Sequence, residues 1–577
     1  MNLVDFVSSR TKAFYERMTP GKFYPILLGI LTVFGLACLI MPGLPNGHDL
    51  YYHLSRLYAM DVNIRLGEIP SMINHEALNG YGYATGLFYS DVFLYPCELL
   101  LLCGMGFIAA YKCFVFVWTL FIAFSAYFCA RKLSASHFGA FASALLYTWS
   151  SYLATDLLVR AAMGEFLVFA FMPWIILGLY ELIFGKPERF LYFSFGFLGL
   201  IYSHNLSLFI MTVICAVIIV FHALRFLREP KRLLYLALSP LPVLLAGATI
   251  LIPMAEQFAH QHFIIEAEKN ENIIERCIPF LKLFLEIPTS KAAVWIPSGI
   301  GIILIIVALQ RLRLTSKRSS IELFRDMLLI AGMVCLLMAT DMPSWKGAFK
   351  PLAVIQFPWR FFGPATAFLA FGGGLTLATL VENDWARERY WLWIVIVGTA
   401  FAWFVNIGYF YAARISEHDI ARGYRPGKKQ EASGIHYLIR DGLRDDVIRE
   451  RGDVVTPTQP INATLTRPKA NIVQLVFSGN TSDNDVELPL VPYYGYVADL
   501  HGVDGKEYKC RLKTGTGPNK LLSVRIPGKV SDGIVRVQYK GTSLQRMSQV
   551  VSIVSVLLFL ALFMFMRRRM KKHSDGE

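Results

Sequence analysis

Long apolar runs recur along the chain from Phe23 to Ala413, and another begins near Val550. Short polar segments separate them. This alternation predicts a polytopic α-helical membrane protein. Spans fall at about 23–41, 107–130, 138–155, 166–184, 190–204, 205–224, 233–252, 294–310, 325–340, 360–380, 390–412 and 548–566, twelve in all. The first run is too long for a cleaved signal peptide and reads as a retained helix. Asp91–Gly106 is apolar but short and contains Pro96 and Glu98, so it reads as an external or re-entrant segment. With it excluded, Lys22, Arg131-Lys132, Lys186 with Arg189, Arg225 to Arg232, Arg311 to Arg318 and Arg567 to Lys572 fall on one side. The positive-inside rule makes that side cytoplasmic and places both termini there.

The pattern changes at about Arg414. From there to Gly541 the chain is charged and punctuated by Gly and Pro. Alternating runs at Ile472–Phe477, Lys509–Lys513, Leu521–Ile526 and Ile534–Lys540 predict a small β-sandwich or barrel-like domain. The chain thus divides into a cytoplasmic N-terminus (1–22), a transmembrane body (23–413) with an external loop at 42–106, an extracytoplasmic β-rich domain (414–547), a last helix (548–566) and a basic cytoplasmic tail (567–577).

Composition agrees with this reading. Hydrophobic residues make up 55% of the 577, and the mean hydropathy is +0.46. The net charge of +14 sits largely in loops between spans, so topology accounts for it and nucleic acid is not an expected partner. Nine cysteines show no CxxC or zinc spacing; Cys277 and Cys510 lie in polar segments and are the pair open to a disulfide. A Walker phosphate loop, a GxSxG elbow and an HExxH helix are all lacking, so cytoplasmic nucleotide chemistry has no visible site.

The candidate chemistry sits in the polar breaks. Gly47-His48-Asp49-Leu50-Tyr51-Tyr52-His53-Leu54-Ser55-Arg56 follows the first span. Leu50, Leu54 and Leu57 repeat at helical spacing, and Asp49, His53 and Arg56 repeat one position earlier. Two such stripes predict a helix lying in the membrane interface. Asp49 there is a candidate general base. Asp49 and His53 are also spaced to share a metal, or simply to form a solvated face. Asp156 and Arg160 are spaced to pair on a helix, and Arg160 alternatively suits a phosphate. Glu165 is placed to orient a substrate or a catalytic group. His204-Asn205 forms a polar tip between two apolar runs. Arg360, inside Gln356-Phe357-Pro358-Trp359-Arg360-Phe361-Phe362, suits an interface anchor or a lipid phosphate. Tyr493-Tyr494-Gly495-Tyr496 reads as sandwich core with a bend at Gly495 rather than as a glycan grip.

Taken in order, His48-Asp49 to Arg56, Arg160 to Glu165 with Pro173, Ser203-His204-Asn205 and Phe357-Pro358-Trp359-Arg360 resemble a bacterial membrane family labelled "6-pyruvoyl-tetrahydropterin synthase-related". They are also similar to the YfhO-like membrane proteins. Leu488–Tyr496, Gly541-Thr542 and the last helix look like that group too, so the resemblance covers most of the chain. Both groups resemble the GT-C glycosyltransferases. The resemblance implies an enzyme of the bacterial cell membrane that takes a sugar from a polyprenyl-phosphate carrier on the outer face. The acceptor would be a cell-envelope glycan, lipid or teichoic-acid-like polymer. It implies Asp49 as catalytic base; from their own placement in the polar breaks, Glu165 is a second catalytic candidate and His53, Arg56, His204 and Asn205 are substrate-binding candidates. Arg160 and Arg360 are assigned to the lipid phosphate by charge and side. The first external loop lacks the Asp-x-Asp motif of some GT-C members, so no metal ligands are assigned, and a divalent metal stays open as cofactor. Two other readings stand beside this one. A lipid or polysaccharide transporter would carry internal repeats and midplane polar groups. A non-catalytic envelope protein would use its outer domain to bind a partner.

Overall fold

The computed structural model describes residues 19–267, 273–280, 283, 301–315, 319–382, 384–414, 436–440, 455–515 and 517–574, apart from 42, 45 and 46. Most of the predicted N-terminal segment, the start of the 294–310 span, much of 415–454 and the last three tail residues therefore lie outside the described residues.

The chain is mostly helical, with a separate β-sheet domain near its C-terminus. The helices used below are α1 (Pro20–Gly35), α2 (Leu50–Arg65), α3 (Phe107–Leu133), α4 (His137–Thr148), α5 (Met172–Ile183), α6 (Leu191–Ile201), α7 (Asn205–Phe221), α8 (Ala248–His260), α9 (Ser320–Met338), α10 (Phe362–Val381), α11 (Trp385–Arg414) and α12 (Ser543–Ser574). Among the described residues, five helices are long and apolar enough to cross a membrane: Pro20–Ile40, Phe107–Leu133, Pro358–Val381, Trp385–Gly408 and Ser543–Met566. A sixth is made if Pro230–Ala246 and α8, bent by 76° at their break, count as one.

Several of the twelve expected crossings are shorter or broken. The run at 138–155 yields α4, of 12 residues, and the run at 166–184 splits into Met163–Val168 and α5. The reason is enclosure. Every residue of α4 from Phe138 to Thr148 is buried. A helix surrounded by protein need not match the lipid thickness, and breaks are tolerated where neighbours satisfy the backbone. Hydropathy does not separate a protein-enclosed helix from a lipid-facing one. Val92–Leu102, in the segment expected not to cross, is likewise a short apolar helix.

Small residues set the core distances. A Cβ on Gly374 of α10 would stand 2.0 Å from Ser143 Oγ and 2.7 Å from the Gly139 carbonyl oxygen of α4. These two helices therefore meet backbone to backbone. The outward faces are apolar: Ile330 and Val334 on α9, Trp393, Val397 and Phe401 on α11, and Val550, Val554 and Leu557 on α12 are all exposed. Such a belt is compatible with a lipid-facing surface.

The β domain has two antiparallel sheets. One runs β2 (Asn462–Lys469), β3 (Ile472–Ser478), β9 (Gly533–Tyr539), β5 (Tyr496–Gly502), β6 (Glu507–Lys509); the other runs β1 (Thr456–Pro457), β4 (Asn484–Leu488), β8 (Leu522–Ile526), β7 (Arg511–Thr514). Alternate residues Val473, Leu475 and Phe477 of β3 meet Val486, Leu488, Val524 and Ile526 in one core. Tyr493 is buried not in the sandwich core but in a cluster with Tyr81, Tyr83, Phe88 and Phe263, Tyr494 is exposed, and Gly495, at φ +126°, makes the bend. The domain docks on α8. Gln257 donates from Nε2 to the Tyr494 carbonyl at 2.6 Å and accepts from the Tyr494 N–H at 3.1 Å. His260 stacks on the Tyr494 ring at 3.8 Å, and Glu256 accepts from Thr542 and Gln545. The expected disulfide does not form. Cys277 lies in the helical core and Cys510 in the sandwich, and both are free.

Candidate functional site

The segment before α2 is held against the turn that ends the 151–159 helix. The His48 N–H donates to the Val159 carbonyl at 3.2 Å and the Asp49 N–H to the Arg160 carbonyl at 2.8 Å. A Cβ on Gly47 would come within 2.5 Å of Ala161 Cβ, so this approach requires glycine. Residues 155–159 form a π-type turn, with the Arg160 N–H reaching the Thr155 carbonyl at 2.8 Å, and Ala161 follows at φ +49°. Wide turns of this kind recur at functional sites.

Glu165 is the hub. Its carboxylate accepts from Arg160 Nη1 at 2.9 Å and Nη2 at 2.8 Å, from Tyr152 Oη at 2.7 Å and from Arg360 Nε at 2.9 Å. Arg160 Nη1 also reaches Asp156 at 2.7 Å, so the predicted Asp156–Arg160 pair forms inside this network. Arg360 Nη1 donates to Gln356 Oε1 at 3.0 Å. Burial pushes the Glu165 carboxyl up, but Arg160 and Arg360 overcome it and hold it well below the usual carboxylate range. Asp156 goes the other way: burial, then the Glu165 charge, keep its carboxyl well above that range.

These groups border a cavity of ≈ 990 Å³. Asp49, His53, Arg160, Glu165, His204, Asn205 and Arg360 all line it. Among the described residues nothing donates a hydrogen bond to the Asp49 carboxylate, which burial raises above its ordinary range and Arg160 partly lowers again. His53 is buried, accepts from the Met163 N–H at 3.2 Å through Nε2, and has Arg56 Nη1 3.1 Å from Nδ1. Burial, then Arg56 and His204, hold its pKa well below the usual histidine range. His204 caps α7, accepting from the Ser207 N–H at 3.2 Å. Asn205 donates to the Phe88 carbonyl at 2.9 Å.

Arg56 is not brought to the cavity. It lies under the Tyr89 ring at 4.2 Å and binds the Ser90 carbonyl at 2.8 Å and the Asp91 carboxylate. The leucine stripe and the His53/Arg56 stripe of α2 are both buried, while Tyr51 on another face is exposed. Tyr152, Tyr89, Tyr437 and Arg276 carry site contacts that the sequence reading missed. Tyr152 hides in an apolar run. Tyr437 comes from the charged segment after Arg414, and its ring stacks on Phe88 at 4.5 Å. Arg276 stands over Phe357 at 4.9 Å and lines the same cavity. The polar break Tyr89-Ser90-Asp91 was the available signal for Tyr89.

The donor set does not suit a divalent cation. Glu165 is clasped by two guanidinium groups, His53 already accepts from the backbone, and no group of three or more His, Cys, Asp or Glu side chains gathers among the described residues. No protein-family model matches this chain, and no curated protein matches it.

Proposed function

We propose that the protein is a GT-C-type glycosyltransferase of the bacterial cell membrane, with the β domain and the cavity on the outer face and twelve passes through the bilayer. It transfers a sugar from a polyprenyl-phosphate carrier to a cell-envelope acceptor. One observation supports this reading above the others: an unbonded carboxylate, Asp49, faces the same cavity as a pre-set cationic network. Asp49 takes the proton of the acceptor hydroxyl. The acceptor oxygen bonds to the anomeric carbon as the bond from that carbon to the phosphate oxygen breaks. Polyprenyl phosphate leaves with the electron pair, and the single displacement inverts the anomeric centre.

The other residues divide the work. Glu165 is spent on Arg160, Arg360 and Tyr152, so it positions and does not move protons. Arg160 is neutralised by Glu165, hydrogen-bonds Asp156, and fixes the Asp49 backbone through its carbonyl. Arg360 faces the cavity from the other side of Glu165 and stabilises the departing phosphate. His53 steadies the site by accepting from the Met163 N–H, and His204 and Asn205 also line the cavity. Membranes holding wild-type protein and radiolabelled polyprenyl-phosphate hexose are expected to release polyprenyl phosphate, and Asp49→Asn to lose this while still folded. Full transfer by Asp49→Asn would remove the base assignment. Passage of an intact lipid-linked glycan across vesicles, without cleavage, would make the protein a transporter instead.

A further inference from the structure

We propose that a second, open pocket at the opposite end of the helical body binds the phosphate headgroup of an anionic membrane lipid. The pocket has a volume of ≈ 580 Å³ and is lined by His222, Arg225 and Arg228 together with Phe184, Phe221 and Leu224. The single helix α7 runs from Asn205, at the first cavity, to Phe221, at this pocket, on the order of 24 Å of helix. Beyond that end, Arg232 caps the carbonyls of Leu182 at 2.9 Å and Gly185 at 3.1 Å, which holds the 223–238 segment in place.

The charge of the pocket is unbalanced. Its carboxylate, Glu229, is taken by Arg232 at 2.6 Å, and Arg225 Nε stands 3.4 Å from its other oxygen. Arg225 is braced over the Phe184 ring at 5.2 Å. The Arg228 guanidinium has no partner among the described residues. His222 donates through Nδ1 to the Ile218 carbonyl at 2.9 Å. Two guanidinium groups thus converge on one space with less than one carboxylate to answer them, which suits a phosphate oxyanion.

The rim identifies the carrier of that phosphate. Phe221 is 84% exposed and Leu224 68% exposed, immediately beside the arginines. Arginines below and bare apolar side chains beside them fit an anionic head joined to acyl chains. A soluble phosphate would use the arginines and leave the rim unexplained. This pocket also belongs to the basic loops that the positive-inside rule groups on one face, where anionic lipids attract Lys and Arg. The inference rests on the membrane placement proposed above and not on sugar transfer.

Full-length protein is reconstituted into nanodiscs of phosphatidylcholine with or without phosphatidylglycerol, and its retained lipids are weighed by native mass spectrometry. Wild type is expected to keep phosphatidylglycerol selectively. Arg225→Gln/Arg228→Gln is expected to lose it about thirtyfold, each basic side chain near an anionic surface being worth a factor of about five. Arg536→Gln, in the β domain, keeps wild-type retention. Unchanged thermal unfolding of the double variant separates lost lipid from lost fold; where it fails to fold, Arg228→Gln alone carries the measurement. Equal retention in variant and wild type overturns the proposal. So does protection of the pocket by inorganic phosphate with no preference for phosphatidylglycerol, which would make the ligand soluble. A chain that enters no nanodisc overturns the membrane placement and the lipid site together.

Discussion

Replacing Glu165 by Gln tests the hub directly. The carboxylate neutralises two buried guanidinium groups, with Arg160 only 5% exposed. Gln keeps the volume and one acceptor oxygen but removes the charge. Arg160 retains Asp156; Arg360 retains Gln356, the Ile355 carbonyl and the Phe357 ring. Breaking one member of a buried ion pair costs about 3–5 kcal/mol. For a cooperative unit of several hundred residues this corresponds to a fall of roughly 4 °C in melting midpoint. Scanning fluorimetry in detergent measures it. A cycle with Arg360→Gln sharpens the test. Removing both partners leaves no orphan charge, so the double variant is expected to be more stable than the sum of the singles by about 1–3 kcal/mol. Asp156→Asn should be milder than Glu165→Gln, because the surroundings already disfavour the Asp156 charge. Strict additivity, or an Asp156→Asn variant less stable than Glu165→Gln, would show that Glu165 is not what holds the two arginines together.

Asp49→Asn is expected to lower kcat by about 10²–10⁴-fold with little change in melting temperature, a proton-transfer loss read from initial rates of sugar transfer. Because burial raises the Asp49 carboxyl and the base must be ionised, activity falls as pH drops through that raised value. The acid limb of kcat/KM should therefore lie above the ordinary aspartate range of about 4, and a limb at or below it counts against Asp49. Gly164→Ala drives a Cβ to 1.7 Å from Tyr89 Oη and 3.0 Å from the Ser203 carbonyl; a loss of about 1–3 kcal/mol is expected, partly restored by Tyr89→Phe. Since all nine cysteines are free, reductant should leave the melting curve unmoved, and a reductant-dependent shift would reveal a bridge.

Much of this arrangement was legible because polar groups are rare in so apolar a chain. Asp49, Arg160, Glu165, His204 and Arg360 each stand in a break between apolar runs, and seven of the eight candidate residues line one cavity. Arg56 was misplaced because helical spacing puts it on the Asp49 stripe, whereas Asp91, far along the chain, pulls it aside. Tyr152 and Tyr437 were illegible for a related reason. Their neighbours in sequence say nothing of Glu165 or Phe88, which only the folded chain brings to them. Five helices among the described residues are long and apolar enough to cross a membrane; other expected spans are short or broken where burial by protein imitates burial by lipid, as in α4. In the β domain, β3, β8 and β9 announced themselves by alternation. The edge strand β2 carries Asn, Thr, Arg and Lys and gave no such signal.

The joint between Gln257 and Tyr494 has a consequence for how the two halves of the chain can diverge. One amide side chain satisfies both the N–H and the carbonyl of a single residue. It reads backbone and ignores which side chain that residue carries. The rest of the seat leans on side chains, the Tyr494 ring against His260 and Thr542 and Gln545 on Glu256, so substitutions away from these positions leave it unmoved. The helical half keeps its geometry while strand positions distant from the joint are free to change.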